Sequence, residues 1–216
     1  MKKVVIDPGH GGRDSGAEYK GRLEKDDVLA MALAVGEILE RNGVNVQYTR
    51  LTDVYNSPFE KAMMGNNAGA DLFVSLHRDS SENSNTYNGV SALLYNDKGE
   101  KAVIARDILS GLENIGFRNI GVVERPNLVV LKRTRMPAIL LELGFINSEV
   151  DNKLFDENFD EMARVIADGI LDAINDDKET TTYSVEVMNI ESLEKAVEME
   201  KMFKRQGIDA VVRKNK

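Results

Sequence analysis

Val4-Val5-Ile6-Asp7-Pro8-Gly9-His10-Gly11-Gly12 sets the pattern that the rest of the chain repeats. Three β-branched apolar residues are right for a short buried strand, and Asp7-Pro8-Gly9 breaks it into a loop of turn formers. His10 therefore follows a strand closely. Next, Lys25 to Asn42 places Val28, Leu29, Ala32, Val35, Ile38 and Leu39 at helical spacing, with Gly43 as a stop. Glu24 falls just before this helix or in its first turn. Val44 to Thr49 reads as a second strand. Ser57-Pro58-Phe59-Glu60 has capping-box spacing with proline at the first helical position, which predicts a helix running to Ala68. Leu72 to Leu76 is a third strand, followed by His77 much as the first is followed by His10. Gly89 to Tyr95 predicts a strand and Glu100 to Ile115 a helix. Leu128 to Leu131 and Ala138 to Leu141 predict strands, and Asp160 to Asn175 a closing helix.

This alternation predicts an α/β fold: a mostly parallel twisted sheet flanked by helices, with a binding crevice beyond the carboxyl ends of the strands. His10, His77 and Glu142 all occupy such ends. Residues 1–176 form one expected domain. Asp176 to Thr182 contains no apolar residue, so 177–182 reads as a linker. Beyond it, Tyr183 to Met188 alternates like a strand, Ser192 caps a helix ending before Gly207, and Ile208 to Arg213 looks like a second strand. Residues 183–216 are thus a small βαβ unit. Too short to bury its own apolar face well, it is expected to dock on something or pair with a second copy.

Composition narrows the chemistry. A net charge of -8 disfavours nucleic acid and anionic lipid, both of which need a basic footprint. No segment has the run of apolar residues that a bilayer span requires, so membrane insertion is not expected. Cysteine is absent, which leaves only histidine and carboxylates to bind a transition metal. The chain has two histidines, and both lie at strand ends where side chains converge on a crevice. Glu142 ends the apolar run Ala138-Ile139-Leu140-Leu141 and precedes Leu143-Gly144-Phe145. Carboxylates seldom stand unpaired in such a context, and partial burial beside a metal suits a general base. The plainer readings are hydrogen-bonded histidines, a salt-bridged Glu142, and a Glu24 that merely complements the helix dipole.

A larger pattern bears on that choice. Val5-Ile6-Asp7-Pro8-Gly9-His10-Gly11-Gly12, then Gly16-Ala17 and Leu23-Glu24-Lys25, resembles the zinc-dependent N-acetylmuramoyl-L-alanine amidases of the family called amidase type 3. Thr49-Arg50 with Asp53, Ala70 to His77, and Pro137 to Asn147 look like the family's later blocks in the same order. The resemblance implies that His10, Glu24 and His77 are ligands of Zn2+ and that Glu142 is the general base and acid. It also implies the reaction, hydrolysis of the amide between N-acetylmuramic acid and L-alanine in bacterial peptidoglycan. Glu24 rests on the resemblance alone. Three positions depart from the family: Lys61 stands where arginine is usual, Gly65-Asn66 replaces Ala-Asn, and Arg78 follows the histidine where a smaller residue is common. Arg78 is expected to alter substrate contacts near the metal.

From Tyr183 the chain is similar to one half of a SPOR-type wall-binding domain. That likeness implies wall binding, or a homodimer completed through residues 183–216. The rival functions are a zinc peptidase cutting within the stem peptide and a wall-binding module without catalysis. Met1 to Asp7 is far short of a signal-peptide core. The expectation is synthesis in the cytoplasm and action on the wall after lysis or release, as a phage endolysin or as a host autolysin of sporulation.

Overall fold

The structure, a computed structural model, describes residues 2–175, 190, 192–205 and 212. The chain divides into two units, Met1–Asp177 and Lys178–Lys216. In the first, β1 (Lys3–Pro8) leads through a hairpin of β2 (Glu18–Tyr19) and β3 (Arg22–Leu23) into α1 (Glu24–Arg41). Then follow β4 (Asn45–Tyr48), α2 (Pro58–Ala68), β5 (Leu72–Asp79), β6 (Val90–Leu94), α3 (Glu100–Asn114) and β7 (Asn119–Glu124). A short α4 (Val129–Arg133), β8 (Ala138–Phe145), α5 (Glu149–Glu157) and α6 (Phe159–Asn175) complete the unit.

Six strands make one sheet in the order β4-β1-β5-β8-β6-β7. The ladders β1–β4, β1–β5, β5–β8 and β6–β7 are parallel, and only β6 against β8 is antiparallel. The expected mostly parallel sheet flanked by helices is what the chain forms.

Period-two alternation decides which face each strand residue takes. Val4 and Ile6 of β1, Leu72, Val74 and Leu76 of β5, and Ile139, Leu141 and Leu143 of β8 join the large core with α1, α3 and α6. The opposite parity gives Val5, Phe73, Ala138 and Leu140, which pack in a smaller core with Val130 and Leu131 of α4. Phe73 is fully buried there, worth roughly 1.5–3 kcal/mol by area. Continued toward the carboxyl ends, the second parity carries Ser75 and His77 on β5 and Glu142 on β8.

Local signals behave as read. Ser57 and Glu60 cap α2 reciprocally with Pro58 at the first helical position, and Gly69 closes that helix in the left-handed region. A Cβ at Gly65 would stand 2.8 Å from the Phe73 ring, so a glycine is what admits the ring beside α2.

Several expectations need correction. Leu128 to Leu131 is not a strand: Val129–Arg133 is helix α4, packed on the face beside Val5 and Phe73. A run of four apolar residues carries no period that separates the two states. His77 and Glu142 lie within β5 and β8 rather than past them, because both strands run on beyond their apolar stretches. The strand β7 was not legible, since Gly121 with φ 96° interrupts its pattern. Nor was α5, which has few apolar residues and is capped by Ser148 accepting from the Asp151 amide.

In the second unit, α7 (Leu193–Arg205) starts where expected, with the Lys195 amide donating to Ser192 Oγ at 3.4 Å. The 177–182 linker and the strand Tyr183 to Met188 lie outside the described residues, as does Ile208 to Arg213 apart from residue 212.

Candidate active site

The loop after β1 is held from both sides by buried cations. Lys61 Nζ donates to the Pro8 carbonyl at 2.7 Å, lies 3.4 Å from the His10 carbonyl, and pairs with Asp7 Oδ1 at 2.9 Å. Asp7 also accepts from the Thr49 and Ser75 hydroxyls. Arg50 donates to the carbonyls of Pro8, Gly9, Lys25 and Thr52. These bonds support His10 at φ 57°, a left-handed conformation uncommon for residues other than glycine. Gly9 is required by close approach: a Cβ there would stand 2.4 Å from the His77 ring.

Three side chains from three elements converge beside this loop. Glu24, the first residue of α1, is buried, and its Oε1 lies 3.0 Å from His10 Nε2 and 2.9 Å from His77 Nδ1. The same oxygen accepts from the Arg78 amide at 3.0 Å, and Oε2 accepts from the Ala17 amide at 2.9 Å. The two imidazole rings meet edge to face with centroids 4.9 Å apart. Burial works against ionising Glu24, but the hydrogen bonds and charges of His10 and His77 outweigh it and hold the carboxyl well below the usual range. Burial likewise lowers the His10 value, and Glu24 with Asp14 more than reverses it, so the imidazole's pKa is raised.

One donor atom from each of His10, Glu24 and His77 lies within 4.8 Å of the others. A tetrahedral zinc with ligands at about 2.0–2.1 Å separates neighbouring donors by about 3.3 Å, close to the 3.0 and 2.9 Å between Glu24 Oε1 and the two histidine nitrogens. Nitrogen and carboxylate donors are the kinds zinc takes, and three protein ligands leave one position open. Asp14 Oδ1, 3.0 Å from His10 Nδ1, fixes the ring so that Nε2 faces Glu24. The residues fit the metal. Sequence reasoning did not single out Asp14, although its place four residues after His10 in the same loop was a usable signal.

Glu142 stands directly opposite His77 in the β5–β8 ladder. Its Oε2 is buried and has no hydrogen-bond partner among the described residues. Burial pushes its carboxyl up to about 7; the His77 charge opposes this and Asp79 and Glu24 reinforce it. A carboxyl with a buried, unbonded oxygen and a value near neutrality has the properties that a general base needs.

Arg78 is the predicted residue that does not join the site. Its side chain is fully buried on the opposite side of β5 from His77, bound to Asp27 and Asn152, so it makes no substrate contact.

A family model described as N-acetylmuramoyl-L-alanine amidase matches residues 4–175. The chain belongs to that family. It is 33% identical over 220 residues to a sporulation-specific N-acetylmuramoyl-L-alanine amidase of Bacillus subtilis (strain 168), covering 98% of this chain and 84% of that one. It is also 33% identical to a probable cell wall amidase, LytH, of Staphylococcus aureus, covering 78% of this chain and spanning 57% of that relative. Among solved structures, an N-acetylmuramoyl-L-alanine amidase from Clostridium difficile 630 superposes with a TM-score of 0.76 at 34% identity, covering 82% of this chain and 98% of that one. In the amidase family's frame, His10, Glu24, His77 and Glu142 all fall inside the matched residues.

Proposed function

We propose that this amidase is zinc-dependent, with His10, Glu24 and His77 holding the metal and Glu142 moving the proton, and that it cuts the amide between N-acetylmuramic acid and L-alanine in peptidoglycan. The buried, unpartnered Oε2 of Glu142 carries the reading. A structural carboxylate in such a place keeps partners in the fold, as Asp151 does by accepting from the Gly89 and Phe145 amides through Oδ2 although its Oδ1 is also unbonded. Glu142 has no such anchor among the described residues.

Bound zinc polarises a carbonyl and brings a water's pKa toward about 7. The protein's own groups supply the rest. Glu142 accepts the attacking water's proton at Oε2, where a value near neutrality suits both taking and returning it. It then delivers the proton to the departing amine of L-alanine, so that the C–N bond breaks with a neutral leaving group. Asp14 keeps the His10 ring oriented, and Lys61 with Arg50 keeps the loop rigid.

Digesting purified walls and weighing the products tests the site of cleavage. Stem peptides with a free L-alanine amine are expected. Fragments in which the lactyl group still carries L-alanine would instead mark a peptidase cutting within the stem.

A further inference from the structure

Arg78 follows His77 in sequence, yet its guanidinium lies fully out of solvent. Nε donates to the Gly144 carbonyl at 3.3 Å, Nη1 to Asp27 Oδ2 and Nη2 to Asn152 Oδ1 at 2.7 Å. Its Cζ lies over the Phe155 ring, 4.3 Å from the centroid. Arg22 reaches the same two partners, with Nε 2.6 Å from Asp27 Oδ2 and its guanidinium 5.2 Å from the Phe155 centroid, while its other two nitrogens grip Asp156. β3, α1, β5, β8 and α5 thus meet at one charged knot.

Burying a guanidinium is unfavourable unless its donors are matched, and only arginine's planar fork serves a carboxylate, a carbonyl, an amide and an aromatic face together. The knot lies one step from two of the converging side chains. The Arg78 amide donates to Glu24 Oε1, and Asp27 stands one helical turn after Glu24 on α1.

We propose that Arg78 is a positioning residue for the metal site: its side chain fastens the first turn of α1 to β5, which fixes Glu24 Oε1 against His10 Nε2 and His77 Nδ1. The inference rests on the zinc reading above. It assigns to Arg78 a role in ligand geometry rather than in substrate contact.

Zinc affinity of the full chain, read without substrate by competition against a chromophoric chelator, tests this. Arg78→Met keeps the bulk and removes the fork, and Asp27 retains Arg22, so no buried carboxylate is orphaned. Affinity is expected to fall by about tenfold or more, as it does for groups that orient metal ligands, and the spectrum of the cobalt-substituted protein should shift. Arg22→Met disturbs the same Asp27 and Phe155 from β3 but leaves the Arg78 tie between α1 and β5 in place. It should lower Tm and leave zinc affinity unchanged. Adding Asp27→Asn to Arg78→Met should cost no further affinity, because both act through one contact. Arg78→Lys keeps a charge without the fork, should weaken zinc binding less than Arg78→Met does, and serves if the methionine variant does not fold. Unchanged zinc affinity in the folded Arg78 variants, or an equal loss in Arg22→Met, overturns the positioning role. A wild-type chain that takes up no zinc yet releases stem peptide overturns the metal reading along with it.

Discussion

Glu142 and His77 are direct partners across the parallel β5–β8 ladder, so the candidate base and one candidate metal ligand are spaced by the sheet itself. Side chains at paired positions project to the same face, and their separation is set by strand spacing rather than by a loop. Replacing Glu142 with Gln keeps shape and removes the proton acceptor. Turnover should fall by about 10²–10⁴ or more while bound zinc stays at wild-type level. Elemental analysis beside an assay of stem-peptide release checks both halves, and full activity in the variant would refute the role.

Lys61 neutralises buried Asp7 and satisfies the Pro8 carbonyl. Lys61→Met leaves that carboxylate without its cation, which should reduce stability by about 3–5 kcal/mol. Urea unfolding of the variant measures it, and a change under about 1 kcal/mol would mean that Thr49 and Ser75 suffice.

Gly65→Ala should destabilise by about 1–3 kcal/mol, because the new methyl meets the Phe73 ring at 2.8 Å. Adding Phe73→Leu should recover part of the loss relative to Phe73→Leu alone. Thermal melts of the two singles and the double give the coupling; strict additivity would show that the ring is not the obstacle.

Burial raises the Tyr48 hydroxyl to about 12 from 10, with Glu40 and Glu37 adding to it. The folded state therefore holds this proton more tightly than the unfolded state does. Its contribution is constant below pH 10 and is lost as pH rises from 10 to 12. Tyr48→Phe should flatten the fall in stability over that window, measured by urea unfolding at stepped pH. An identical alkaline slope in both proteins would assign the loss elsewhere.

Much of this arrangement was legible in the sequence, and the reasons differ by residue. Period-two alternation places His77 on the face of Ser75 and Phe73, and Glu142 with Leu140, only once β5 and β8 are carried past Leu76 and Leu141, where the apolar runs had suggested that they end. The same alternation sends Arg78 to the face of Leu76 and Val74, toward α1; reading it as a substrate contact weighed nearness to His77 in sequence above the strand's own period. Glu24 was out of reach of local patterns, since its contact with His77 spans 53 residues and depends on how α1 packs. The α4 helix was missed because four apolar residues fit either state, and α5 because its burial falls on few positions such as Asp151 and Phe155. Clamps such as Arg50 on the Gly9 carbonyl join residues far apart in sequence and belong to the tertiary fold.

The most direct test of the zinc amidase is release of stem peptide from purified walls by the full chain before chelation, after it, and after zinc is returned. The convergence of His10, Glu24 and His77 predicts activity that vanishes with chelation and returns with zinc. Activity indifferent to chelation would contradict it.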